Sequence, residues 1–301
     1  MTEVKVVYSS LSPALVLTRD IQMTIVKHRN NLQLTAALVL LSLTCSIGVF
    51  AQSNQTSPEA AQNTYIEGAI LWQQTSGERR ALSYQAFTLA RMMLDRDLRM
   101  NRHSRKPRAV VVDLDETILD NSRFEGMLLQ QHVNYNQKNW TEWVNRAEAT
   151  AVPGAVEFLR YAASRGVTVF YITNRNDSQK HGTAANLKKL GFPNVNDRTL
   201  LVQTDLKNST KEPRRQSVGA KFRILLLMGD DLNDFSEVFE NSKTVESRMA
   251  AADRYKEEFG KRFIMLPNPM YGNWESAIYG YNFKLTEADK AEKRRSLLKG
   301  Y

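Results

Sequence analysis

From Ala109 onward the chain alternates between short, unbroken apolar runs and amphipathic stretches. The runs are Ala109-Val110-Val111-Val112, Thr168 to Ile172, Thr199 to Val202, Ile224 to Met228 and Phe263 to Leu266. Runs that are apolar on both faces are what strands buried inside a parallel sheet require. Helices fill the gaps. Pro153-Gly154 opens one whose Val156, Phe158, Leu159 and Ala162 form an apolar stripe, and Gly166 ends it. Asp177 or Ser178 caps another that runs to Leu190, with Gly191 at its C′ position. Strands alternating with helices predict a doubly wound, Rossmann-like α/β domain with right-handed crossovers.

Two segments do not fit that alternation. From Tyr65 to about Arg102 the apolar spacing is helical (Ile66, Ala69, Ile70, Trp72, then Ala86, Phe87, Leu89, Ala90, Met93 and Leu94). The stretch from Ser122 to Ala151, between the first strand and the first crossover helix, is too long for a plain loop and carries Trp140 and Trp143. Together 65–102 and 122–151 are expected to supply a small, mainly helical cap on an α/β domain spanning 65–301.

The first fifty residues read as an address. Lys27, His28 and Arg29 precede an uncharged apolar run, Leu34 to Phe50, and Val49-Phe50-Ala51 offers small residues for cleavage before a polar stretch. On that reading 1–22 is a start-site extension ahead of Met23, 23–51 is a signal peptide and 52–64 is a polar linker. Cys45, the sole cysteine, rules out an intrachain disulfide and offers a lipidation site, and an uncleaved anchor is the third alternative. Each implies an exported protein, and the last two attach it to a membrane through its N-terminus.

The candidate chemistry sits where strands end. The first strand ends in Asp113-Leu114-Asp115, the second in Thr173-Asn174-Arg175, and the fourth in Gly229-Asp230-Asp231-Leu232-Asn233-Asp234. In a parallel sheet these are all carboxyl ends, the edge at which ligands bind. Asp113, Asp115, Asp230 and Asp234 would crowd carboxylates into one crevice, which a cation must neutralise. Oxygen ligands without histidine suit a hard ion, and Mg²⁺ is the natural candidate. The four histidines, at 28, 103, 132 and 181, show no ligand spacing. A formal charge of +9 fits anionic partners, but no Lys/Arg block is interleaved with aromatics, so nucleic acid is not among them.

These motifs resemble the haloacid dehalogenase (HAD) superfamily. Asp113-Leu114-Asp115-Glu116-Thr117-Ile118-Leu119-Asp120-Asn121-Ser122, Ile172-Thr173-Asn174-Arg175 and Gly229 to Phe235 are similar to the bacterial class C acid phosphatases. Leu71 to Glu78, Ala81 to Phe87 and Leu266 to Glu275 resemble the outer-membrane lipoprotein 5′-nucleotidase branch. The resemblance implies a Mg²⁺-dependent phosphatase acting at acidic pH. In it Asp113 is the nucleophile that becomes an aspartyl phosphate, and Asp115 is the general acid and base. It implies a metal held by Asp113, the Asp115 main-chain carbonyl, Asp230 and Asp234, and phosphoryl oxygens gripped by Thr173, Asn174 and a lysine. We assign that lysine to Lys211, with Lys207 its rival in the same charged loop. Trp140 and Tyr271 match the aromatics that clamp the substrate's ring, and stacking of that kind tolerates base identity. Trp143, Trp274 and Phe124 are read as packing.

Three departures stand out. Cys45 lacks the usual triplet before a lipidated cysteine, Asp231 stands where Asn is commoner, and Gln203 where the branch often has Lys. The substrates expected are small phosphomonoesters: 5′-nucleotides and nicotinamide mononucleotide, or alternatively sugar, aryl or pyridoxal phosphates. Plant storage proteins keep the fold without strong activity, and retention of Asp113, Asp115 and Asp230 argues against that reading. Self-association is open at this level.

Overall fold

Apolar strands and amphipathic helices assemble as the alternation requires in the computed structural model, which describes residues 64–101 and 103–301. The expected extension, signal peptide and Cys45, with the linker up to Asn63, lie outside the described residues. Two helices come first, α1 (Glu67–Thr75) and α2 (Gly77–Met100). Next come β1 (Arg108–Val112), β2 (Leu119–Asp120), α3 (Ser122–Gln130), α4 (Gln137–Arg146), β3 (Thr150–Ala151) and α5 (Ala155–Ser164). The chain continues through β4 (Thr168–Asn176), α6 (Lys180–Leu190), β5 (Leu200–Gln203), α7 (Glu212–Lys221) and β6 (Arg223–Gly229). It ends with α8 (Glu237–Glu240), α9 (Val245–Arg254), β7 (Phe263–Met265), α10 (Asn273–Ile278) and α11 (Glu287–Leu297).

The main sheet has five parallel strands in the order β5-β4-β1-β6-β7. The chain winds outward from β1 through β4 to β5, then crosses back to β6 and β7, so β1 lies at the switch point. Alternation along each strand builds two cores. Val110, Val112, Val169, Tyr171, Leu226 and Met228 face one layer, where Phe87, Ala90 and Leu94 of α2 and Phe158 and Leu159 of α5 cover them. Ala109, Val111, Phe170, Ile172 and Leu227 face the other, under Val218 of α7 and the aromatic group Phe235, Phe239 and Phe263.

β2 and β3 form a separate antiparallel pair, Leu119 opposite Ala151 and Asp120 opposite Thr150. α3 and α4 are therefore an insertion mounted on a two-stranded stalk directly after β1. Phe124 of α3 packs on Trp140 and Trp143 of α4, with ring centroids 5.1 and 6.4 Å away.

The expectation that 65–102 belongs wholly to the cap is corrected. Ser76 breaks the segment by accepting from the amide of Arg79 at 3.0 Å. Only α1, on the near side of that break, packs on cap helix α3. α2 lies on α5, β6 and β7, because its Ala86, Phe87, Ala90 and Leu94 recur on one face and bury against the sheet. The cap of the helix after β4 is also Asn176 rather than Asp177 or Ser178. Asn176 makes a reciprocal capping box with Gln179 at the start of a 3-10 turn that runs into α6. Gly191 ends that helix at φ 82° as expected. Among the described residues, no helix is long and apolar enough to cross a membrane.

Leu94 tests the placement of α2. It is fully buried, so Leu94→Ala should cost about 2–5 kcal/mol. If α2 belongs to the sheet layer, the loss appears as a lower urea midpoint for one cooperative transition of the whole domain. Early melting of the cap alone would contradict the placement.

Candidate active site

The amide of Asp113 donates to the carbonyl of Met228 at 2.9 Å, carrying the β1–β6 ladder one residue past the strand. In extended chain residues two apart share a side, so Asp113 and Asp115 both face the crevice. A tight turn follows: the amides of Ile118 and Leu119 donate to the Leu114 carbonyl at 2.9 and 2.8 Å, and that of Glu116 to Leu119 at 2.8 Å. The turn puts Glu116 at φ 57°, a conformation costly for a side chain of this kind. Its own carboxylate helps hold it there. Glu116 is buried, accepts from the Asn121 amide at 2.7 Å, and takes a hydrogen bond from the Tyr271 hydroxyl.

The second acidic cluster follows β6. Gly229 is required there, since a Cβ on it would lie 2.3 Å from the Cβ of Asp234. Without one, the 3-10 turn Leu232–Asp234 folds Asp234 back over the strand end, where it accepts from the Asp231 amide at 3.1 Å. Asp113, Asp230 and Asp234 then each place a carboxylate oxygen within 4.8 Å of the others.

Lys211 is the cation that joins them. Its ammonium donates to Asp113 and, at 2.6 Å, to Asp234. It starts α7, and Glu240 holds its backbone by accepting from its amide at 3.1 Å. The rival Lys207 has no such contact with the acidic group and lies exposed. Thr117 donates to Asp230 at 3.0 Å and Asn268 donates to its other oxygen at 2.8 Å.

One ammonium does not balance three carboxylates. Burial, then the neighbouring Asp113 and Asp234 charges, push Asp230 well above the usual carboxylate range. Burial likewise raises Asp234 to about 7 and raises Asp113, with Lys211 opposing both shifts. Burial works against the Lys211 ammonium, but Asp113 and Asp234 outweigh it and its pKa rises. A buried all-oxygen set with excess negative charge fits a hard divalent cation. These three side chains could hold a metal.

Asp115 is placed apart from the triad. Arg175, almost wholly buried, grips it in a bidentate pair with Nη2 2.7 Å from Oδ1, and Asn121 donates to it at 2.9 Å. Asn121 is itself oriented by Trp143, whose Nε1 donates to its Oδ1 at 2.9 Å. Trp143 and Phe124 are core residues, as expected, whereas Trp274 is 44% exposed.

Thr173 is fully buried at the end of β4 and accepts from the Arg175 amide at 3.1 Å. Asn174 is exposed at the mouth, where Arg214 Nη2 donates to its Oδ1 at 2.7 Å and Nη1 to the Thr173 carbonyl. Trp140 and Tyr271 line one cavity of about 420 Å³ with Tyr65, Tyr135, Asn174 and Asp115. Asp113, Asp230, Asp234 and Lys211 thus meet in one cluster, while Asp115, Asn174, Trp140 and Tyr271 line one cavity.

Sequence reasoning gave no role to Arg175, Arg214, Glu116, Asn121 or Asn268. Arg175 and Asn121 stood inside quoted motifs, but nothing in a one-dimensional pattern shows that they meet at Asp115. The unusual Asp231 turns away from the triad. It pairs with Arg248 at 3.2 Å and accepts from the Asn273 amide at 2.7 Å, anchoring α10. Gln203 braces the following loop through the carbonyls of Asp205 and Asn208. His103, His132 and His181 are exposed.

A parallel α/β sheet with aspartates converging at its switch point defines a phosphoryl-handling class, and comparison with known proteins narrows it. Residues 28–274 match the family described as HAD superfamily, subfamily IIIB (acid phosphatase), and the chain belongs to that family. It is similar to two structures of the class C acid phosphatase from Bacillus anthracis. One, with tungstate bound, has a TM-score of 0.76 and 40% identity, covering 80% of this chain and 99% of the other. The other has a TM-score of 0.75 and 40% identity, covering 81% and 99%. It also resembles the stem 31 kDa glycoprotein of Glycine max, 26% identical over 54% of this chain and 58% of that protein. The chain spans about half the length of such curated relatives. The family and fold expected from the motifs agree with these findings.

If the triad holds a divalent cation, Mg²⁺ should raise the melting temperature of the free protein, by mass action. Asp230→Asn should abolish most of that rise. An equal rise in the variant would place the ion elsewhere.

Proposed function

We propose that the chain is a Mg²⁺-dependent acid phosphatase that hydrolyses phosphomonoesters through an aspartyl phosphate on Asp113. The observation that carries the reading is the convergence of Asp113, Asp230, Asp234 and Lys211 at the carboxyl edge of β1 and β6. The Bacillus anthracis relative has tungstate, an oxyanion, bound in one of its structures, which supports an oxyanion site in this chain.

In this reading an Asp113 oxygen attacks phosphorus and the bond to the ester oxygen breaks. Asp115 gives its proton to that leaving oxygen. Asp115 then takes a proton from a water that attacks the phosphoryl group, which releases phosphate and restores Asp113. The bidentate grip of Arg175 fixes where the Asp115 carboxyl points. Lys211 orients the nucleophile and, with Thr173 and Asn174, meets phosphoryl oxygens as charge shifts among them. Mg²⁺ held by Asp113, the Asp115 main-chain carbonyl and Asp230, with Asp234 in support, would supply positive charge against those oxygens.

The leaving group must lie on the Asp115 side, and there the aromatic cavity opens. Its flat-walled shape favours 5′-nucleotides and nicotinamide mononucleotide, with the ring between Trp140 and Tyr271. A broad phosphatase of non-nucleotide monoesters is the second reading, favoured by Asn174 being exposed and Asp115 partly so. The order of residues 23–51 supports export to the bacterial cell envelope.

Asp113→Asn should lower phosphate release by about 10³-fold or more, and a chelator should do the same to the unaltered enzyme. Trp140→Ala should raise KM for nucleotides about tenfold relative to glycerol phosphate, the loss of one stacked ring. Near-normal turnover in Asp113→Asn would refute the nucleophile. Faster hydrolysis of aryl phosphates than of every nucleotide would favour the second reading.

A further inference from the structure

The aromatic cavity contains charge that the reaction does not use. Its lining includes three carboxylates, Asp115, Glu125 and Glu275, against one guanidinium, Arg175. Arg175 is spent on Asp115. Glu125, on cap helix α3, and Glu275, on α10, therefore face the space without a full counter-charge.

Their surroundings differ. Glu275 Oε1 accepts from the hydroxyls of Tyr65 at 2.5 Å and Tyr279 at 2.6 Å, and its nearest cation, Arg294, is 4.0 Å away. Arg294 itself stacks on the far wall, 3.6 Å from the centre of the Tyr65 ring. Among the described residues no hydrogen bond reaches Glu275 Oε2. Glu125 is half-buried, and its carboxylate makes no hydrogen bond or ion pair among the described residues. Burial, with Glu275 adding to it, pushes its carboxyl up to about 7. An acid that hard to ionise gains from a positive neighbour in proportion to that cost.

We propose that Glu125 and Glu275 are specificity residues of this cavity, selecting leaving groups whose flat ring carries a positive charge or amino donors over rings with carbonyls alone. This rests on the nucleotidase reading above and adds the basis on which rings are ranked. Two physical arguments support it. Aromatic walls with carboxylates between them are the recognition chemistry of organic cations. Above pH about 7, where Glu125 ionises, its carboxylate only accepts hydrogen bonds. A carbonyl edge then leaves it unsatisfied while an amino edge pairs with it, and the substrate comparison is made in that range.

Substrate pairs that change only the ring edge provide the test. They are cytidine against uridine 5′-monophosphate, and nicotinamide mononucleotide against its reduced, uncharged form. The unaltered enzyme should favour the first of each pair by about tenfold in kcat/KM. Glu125→Gln and Glu275→Gln should each bring the ratios toward one. The ratio is internal to each variant, so a general loss of activity does not mimic the effect. Glu275→Gln, on a separate helix, keeps the test decisive if Glu125→Gln fails to fold.

Ratios near one in the unaltered enzyme would overturn the proposal, as would ratios that survive in the variants. Glycerol phosphate separates this from the parent reading. If nucleotides beat it but do not differ among themselves, only the ranking fails. If they do not beat it, the nucleotidase reading fails as well.

Discussion

The active crevice is organised by an unbalanced charge. Asp113, Asp230 and Asp234 each place a carboxylate oxygen within 4.8 Å of the others, and among the described residues Lys211 is the cation that pairs with them. Such a cluster destabilises the fold unless it is screened, since each further buried carboxylate raises the proton affinity of the others. Much of the surrounding structure can be understood as its restraint. Glu240 holds the backbone that carries Lys211, Gly229 gives up its side chain so that Asp234 can fold back, and Thr117 and Asn268 bind both oxygens of Asp230. A crevice that concentrates negative charge, with one lysine aimed at Asp113, is suited to a divalent cation.

The fold was largely legible from the chain. Five apolar runs became five parallel strands because a strand covered on both faces needs no polar alternation. The failure at 65–102 has an equally plain cause. Helical periodicity reports that a face is buried but not against what, and α1 and α2 have similar stripes that meet different partners. Their boundary was written in Ser76-Gly77, a capping pair that the continuous apolar spacing obscured.

The site was legible in part, and the division follows chemistry. Asp113, Asp115 and Asp230 could be read because strand ends converge by topology alone. Arg175 could not be given its role in that way. It follows Thr173 by two residues, and its contact is with an Asp115 side chain 60 positions away that is also held by Asn121, which Trp143 orients in turn. The same holds for Glu116, whose strained backbone is tied to Tyr271 across 155 positions. Residues that act on a ligand lie at predictable places, whereas those that orient them are found wherever the packed fold brings a partner within reach.

That division bears on how the two halves of the crevice cooperate. Asp115 belongs to both: it borders the carboxylate triad by sequence and the aromatic cavity by position. Arg175 ties it to the cavity side, 5.3 Å from the Trp140 ring centre, while Asn121 ties it to the cap through Trp143. The stalk β2–β3 begins four residues beyond Asp115, which joins the cap to the turn that carries that carboxylate. In the mechanism proposed above, the proton donor would thus be held from the cavity side by Arg175 and Asn121, and the nucleophile from the triad side by Lys211. A ring bound in the cavity would meet Trp140 and Arg175, and Arg175 is one of the residues that aim Asp115. On that reading, recognition of the ring would be coupled to protonation of the leaving oxygen without any contact between the ring and Asp113.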